Sequence, residues 1–95
     1  MYQDDRFEWD ESKDRLNQAK HGLGFRDVCG AFDDPHGVDV PDLRHAEDRW
    51  VLIAQIPLTT LVVTVVYAER GDHDRIISAR VATRAEERTY HARRG

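Results

Sequence analysis

The chain reads as an α+β domain with a short opening strand and two helices, then an antiparallel sheet and one closing helix. Three observations carry that reading. Helical spacing of apolar residues gives way after residue 36 to alternating and β-branched runs. Two such runs, 49–56 and 61–67, are separated by a connection short enough for a hairpin. The C-terminal segment opens on Thr83-Arg84-Ala85-Glu86, a helix-capping pattern.

Phe7-Glu8-Trp9 is the opening strand, and Asp10 is the N-cap of a helix running to His21. Glu11 sits in its first turn, where the positive end of the helix favours a carboxylate. Gly22 is its left-handed terminator. Only Leu16 and Ala19 supply an apolar face, so most of this helix is expected to be wet or to meet a polar partner. A second helix is predicted from Gly24-Phe25 to Phe32, stopped by Asp33-Asp34-Pro35 because the residue before proline resists helical geometry. Strands follow at 37–40, 49–56 and 61–67, the last apolar enough to lie centrally. A loop over 69–74 leads to a final strand, Arg75 to Ala82. Strict alternation there sends Ile77, Ala79 and Val81 to one side and Ile76, Ser78 and Arg80 to the other. The closing helix is expected to run through Tyr90.

With 95 residues, 40% of them hydrophobic and 34% charged, residues 1–95 can enclose one small core, which leaves surface for a partner to cover. No apolar run approaches the roughly 18 residues of a membrane span, and the opening Met1-Tyr2-Gln3-Asp4-Asp5 lacks the basic start of a leader, so a cytoplasmic protein is expected. Cys29 has no second thiol and falls with Phe25, Val28 and Phe32 at helical spacing, which predicts packing rather than reactivity. The five histidines show no metal-ligand spacing, and no nucleotide or cofactor motif occurs; no metal and no cofactor are expected. The net charge of −4 is an average of unlike parts. Residues 1–74 hold 8 Lys+Arg and 16 Asp+Glu, whereas 75–95 hold 6 Arg and 2 Glu. A basic end of this kind suits an anionic partner, and equally a solvated surface.

What remains is a set of side chains suited to cutting RNA, whose 2′-hydroxyl is a built-in nucleophile. Such cleavage needs a base for that hydroxyl, an acid for the departing 5′-oxygen and fixed positive charge at the phosphate. Lys20, His21, Glu47, Arg49, Ser78, Arg80 and Arg84 supply these types. Each has a structural reading too. Lys20 and Arg84 suit a solvated helix face, His21 suits a helix C-terminus, and Glu47 and Arg49 are spaced to pair with each other on a strand. Arg80 is the least easily dismissed. A guanidinium inside an apolar strand needs a carboxylate or an open sheet face, and Glu47 is a candidate resting partner.

The ordered set Phe7-Glu8-Trp9-Asp10, Lys13, Asn17, Lys20-His21-Gly22, Phe25, Phe32, Asp34-Pro35, Glu47-x-Arg49, Val65-Val66-Tyr67-x-x-Arg70-Gly71, Arg75-Ile76-Ile77-Ser78-Ala79-Arg80 and Ala82-Thr83-Arg84 resembles the BrnT family over about residues 7–90. The resemblance implies a RelE-like fold and a toxin of a bacterial type II toxin-antitoxin pair. It further implies metal-independent endoribonuclease activity that slows translation and growth, and neutralisation by a BrnA-like antitoxin. That partner binds operator DNA, so the toxin would touch DNA only through it. The family's polar positions fall on Lys20, His21, Glu47, Arg49, Arg70, Arg75, Arg80 and Arg84. His21 or Glu47 would serve as base, Lys20 and Arg80 would stabilise the phosphorane, and Arg49, Arg70, Arg75, Ser78 and Arg84 would hold RNA. The chain departs from the pattern at Thr59-Thr60 and at Val81, where relatives carry basic residues. A catalytically inactive, antitoxin-binding co-repressor is the alternative reading, and a non-cleaving RNA-binding protein is a third.

Overall fold

In the computed structural model, which describes residues 1–44 and 48–94, the chain runs β1 (Tyr2–Gln3), β2 (Phe7–Trp9), α1 (Glu11–His21) and α2 (Phe25–Val28) into a 3-10 helix (Cys29–Asp33). It continues through β3 (Val38–Pro41), β4 (Arg49–Gln55), β5 (Val62–Arg70), β6 (His73–Val81) and α3 (Arg84–Arg94). The α+β architecture is the expected one. One sheet in the order β1-β2-β6-β5-β4-β3 forms the frame, with β5 central as its apolarity requires. No described helix is long and apolar enough to cross a membrane.

Several local expectations give way to tertiary structure. The sheet is not wholly antiparallel, because β2 lies parallel to β6 through Phe7↔Asp74 and Glu8↔Arg75. The second helix stops being α-helical at Val28 and tightens into 3-10 geometry as the chain approaches Pro35. The expected loop at 69–74 is a tight hairpin, with Gly71 at φ 59° making the turn and both strands continuing to it. α3 continues past Tyr90 to Arg94, since nothing after Tyr90 breaks the helix.

The last strand departs from strict alternation. Val66 faces Ser78 while the next residue, Tyr67, faces Ile76, so Ile77 is an extra residue in β6. Ile76 and Ala79 therefore both enter the core, and Ile76 does not share a face with Ser78 and Arg80. The core on that side holds Phe7, Trp9, Phe25, Val28, Leu52, Val63, Val65 and Tyr67 beneath α2 and the 3-10 helix. A smaller cluster of Val38, Ile53, Val62 and Tyr90 ties α3 to the opposite face.

α1 attaches by a polar contact rather than an apolar stripe. Leu16 is 70% exposed and Ala19 is exposed, contrary to expectation, whereas Asn17 is only 7% exposed. β2 ends before the upper half of β6, leaving that strand edge unpaired. The Asn17 amide takes the place of a neighbouring strand there, accepting from Ala79 N–H (3.1 Å) and donating to the Ala79 carbonyl (2.8 Å). Its Nδ2 also donates to the Leu23 carbonyl at 2.8 Å, fixing the chain just beyond the helix.

Candidate functional site

Residues directly opposite each other in a sheet share a face, so the strand register sorts the candidate side chains. Across the end of the sheet nearest the β5–β6 turn, Arg49 faces Ala68, which faces Arg75, and Arg70 faces His73. One step further in, Val51 faces Val66, which faces Ser78; beyond that Ile53 faces Thr64, which faces Arg80. Arg49, Arg70, Arg75, Ser78 and Arg80 thus all project from the face that α3 packs on, opposite the main core. α3 covers only the Val38, Ile53 and Val62 end. Val40, Val51 and Val66 form a partly exposed apolar strip beside these side chains. The spacing of a strand puts Ser78 and Arg80 about 7 Å apart along β6, and Arg49 and Arg75 about 10 Å apart across two strand gaps.

Lys20 and His21 come from the last turn of α1, which Asp10 caps by accepting from Ser12 N–H (2.8 Å) and Gly22 ends at φ 72°. Because Asn17 holds this helix along the β6 edge, Lys20 and His21 meet Ser78 there. They line a shallow depression of about 200 Å³ with Lys13, Leu16 and Ile77. Arg84 is exposed at the first position of α3. Glu47, the other candidate base, lies outside the described residues.

Two of the arginines are not free. Arg80 rests on Glu86. Its Nη1 and Nη2 donate to Glu86 Oε1 and Oε2 at 2.7 and 2.9 Å, an end-on bidentate pair. Glu86 also completes the predicted capping box, accepting from Thr83 N–H at 2.8 Å while its own N–H donates to Thr83 Oγ1 at 3.2 Å. The guanidinium beside it, aided by the Thr83 N–H, holds the Glu86 carboxyl down at about 2, and the carboxylate in turn raises Arg80. Arg75 donates from Nε to Oε2 of the buried Glu8 at 2.7 Å, and its Nη2 lies 2.6 Å from the same oxygen as an ion pair. In the sequence Glu8 is a strand residue and Glu86 a helix cap. Their roles as arginine partners depend on contacts that only the fold creates. Among the described residues, Lys20, Arg49, Arg70 and Arg84 have no carboxylate partner.

The opposite face has the opposite character. Tyr67 donates to Asp39 at 2.7 Å and Trp50 to Glu69 at 3.0 Å, with Asp74 nearby. Burial, reinforced by Glu69 and Asp39, pushes the Asp74 carboxyl up. A larger depression of about 420 Å³ lies away from the basic face, lined by Tyr2, Trp9, Arg26, Asp14 and Asp27 among others. Its Asp14 and Asp27 carboxylates accept from the backbone N–H groups of Phe25 and Gly24, so they hold the α1–α2 connection together. Among the described residues no cluster of His, Cys, Asp and Glu is arranged to hold a metal ion. Cys29 is half-buried, its Sγ donating to the Phe25 carbonyl, and burial pushes its thiol up to about 11.

Comparison with known proteins adds two findings. Residues 9–86 match a family model described as the ribonuclease toxin BrnT of type II toxin-antitoxin systems. The crystal structure of the Brucella abortus ribonuclease toxin BrnT is similar, with a TM-score of 0.69 and 28% sequence identity over 83% of this chain and 97% of that one. Among curated proteins no sequence match is found.

Proposed function

Because this chain belongs to the BrnT family of ribonuclease toxins of type II toxin-antitoxin systems, we propose that it cuts RNA without a metal ion and is neutralised by a BrnA-like antitoxin. The observation that carries this reading is the gathering of Arg49, Arg70, Arg75, Ser78 and Arg80 on one sheet face beside Lys20 and His21. Phosphate contacts from Arg49 and Arg70, which carry no carboxylate partner among the described residues, hold the strand, and bases lie over the Val40, Val51 and Val66 strip.

The proposed reaction uses RNA's own 2′-hydroxyl. His21 takes its proton, the 2′-oxygen attacks phosphorus, the bond from phosphorus to the 5′-oxygen breaks, and the 5′-oxygen takes a proton from solvent water. The products are a 2′,3′-cyclic phosphate and a 5′-hydroxyl. Arg80 and Lys20 stabilise the negative charge that builds on the non-bridging oxygens. This chemistry needs no metal-bound water, because the nucleophile belongs to the substrate. An antitoxin covering the open face would block RNA access.

Incubation of the purified protein with RNA in excess chelator tests the proposal. Cleavage should persist, leave cyclic phosphate ends and stop when the 2′-hydroxyl at the cut site is replaced by hydrogen. Cleavage that requires added metal ion, or that proceeds on the deoxy substrate, would overturn the mechanism. Absence of cleavage with antitoxin binding intact would identify a silent co-repressor instead.

A further inference from the structure

We propose that Glu86 is a positioning residue for RNA cleavage: by filling one fork of the Arg80 guanidinium it leaves the other fork set for a phosphodiester. The inference rests on Arg80 acting at the phosphate, as proposed above.

Arginine has two forks of parallel N–H groups, one between Nη1 and Nη2 and one between Nε and Nη2. Glu86 occupies the first, with both contacts below 3 Å. The second N–H of Nη1 lies toward the Val81 carbonyl at 3.5 Å. No described residue accepts from Nε. The Nε/Nη2 fork is therefore the one free for bidentate phosphate binding, the geometry in which arginine recognises phosphate best.

Glu86 is also built as a fixed post rather than a surface partner. The capping box ties its carboxylate and its own N–H to Thr83. α3 is anchored to the sheet by Tyr90, which is buried and donates to Asp34 at 2.6 Å. Arg80 rises from β6 and Glu86 from α3, so their pairing links the guanidinium to two elements at once. A guanidinium held this way loses little rotational freedom when it meets phosphate, which is how a preorganised group favours the transition state. Had Glu86 been a loosely held surface carboxylate, it would only compete with phosphate for the same cation.

The experiment is a double-mutant cycle on RNA cleavage with E86Q, R80A and the pair, joined to NMR of the Arg80 Nε–H. Gln at this position still accepts from Thr83 N–H, so the capping box survives. R80A should lower kcat on the order of a hundredfold. E86Q should lower kcat roughly tenfold with KM little changed, because RNA still meets the other arginines while Arg80 is misaligned. In the R80A background E86Q should cost nothing further. The Arg80 guanidinium should rotate slowly in the wild type and freely in E86Q, a readout that needs no activity. A rise in rate with E86Q would mean that Glu86 sequesters Arg80, and would overturn the proposal. So would a loss that persists in the R80A background, or a freely rotating guanidinium in the wild type. If R80A cleaves normally, the failure lies in the assignment of Arg80, and the role of Glu86 falls with it. If the wild type does not cleave although Arg80 is immobile, the ribonuclease reading fails, and the pair is structural.

Discussion

Arg80 illustrates what a single residue reveals before its surroundings are known. A guanidinium set among Ile76, Ile77 and Ala79 demands either a carboxylate or an open face, and that demand is legible in the sequence. The structure meets both. The partner could not be read, because Glu86 already had a sufficient local explanation as the N3 residue of a capping box, and its second contact crosses the turn from β6 into α3, six residues apart, a spacing that neither helix nor strand periodicity singles out. The pair has a pH signature. Glu86 has an ordinary value of 4.5 and is held down at about 2 in the fold, so its contribution to stability is present above pH 4.5 and is lost as pH falls from there toward 2. E86Q removes that contribution at every pH. The melting temperature of the wild type should exceed that of E86Q at pH 7, and the gap should close as pH falls to about 2. A gap that is the same at pH 7 and pH 2.5 would mean that Glu86 draws no stability from being ionised.

Elements divide into those fixed by neighbours in sequence and those fixed by neighbours in space. The caps of α1 at Asp10 and Gly22, the Thr83–Glu86 box and the β4–β5 hairpin were legible because the groups that satisfy one another lie within a few residues. The parallel β2–β6 pair was not, since it exists only through a partner far along the chain, and the two-residue β1 and the one-residue bulge at Ile77 were not, since neither is long enough to carry a periodic pattern of its own. α1 is the clearest case. Its sequence offers Leu16 and Ala19 as a face, yet the helix docks through Asn17, whose amide reproduces the hydrogen bonds of a missing strand. Leu16 is left exposed beside Lys13, Lys20 and His21. Asn17→Leu should therefore destabilise despite adding an apolar group at a buried position, because the Ala79 N–H and carbonyl both lose their partner. At about 1–3 kcal/mol for each orphaned group, roughly 3 kcal/mol is expected, a fall in melting temperature of the order of 15 °C. Differential scanning calorimetry checks it. A variant as stable as the wild type would show that water replaces the amide without cost and that β6 needs no cover at this edge.

At the scale of the whole molecule, the charge imbalance along the sequence becomes a charge imbalance between two sheet faces. Arg49 and Arg70 come from the acidic part of the chain, yet the register sets them beside Arg75 and Arg80 from the basic end, while Asp39, Glu69 and Asp74 gather on the opposite side. The linear count underestimates the basic face by two arginines and overestimates it by two, since Arg75 and Arg80 carry their own carboxylates. Only unneutralised cations displace counterions from RNA in full, so Lys20, Arg49, Arg70 and Arg84 should set the salt dependence of binding. For four phosphate contacts on a single strand the logarithm of the binding constant should fall against the logarithm of salt concentration with a slope of about −3. A 2′-deoxy oligonucleotide, which cannot be cut by attack of its own sugar, serves as the probe. Replacing both Arg49 and Arg70 with alanine should bring the slope to roughly half that value. Arg75→Ala should change it little, because the variant loses a cation whose charge Glu8 already balances. Titration by fluorescence anisotropy across a range of potassium chloride concentrations measures all three. A slope that the Arg49 and Arg70 changes leave intact, or one that Arg75→Ala halves, would mean that RNA runs over a different surface from the arginine-bearing face of the sheet.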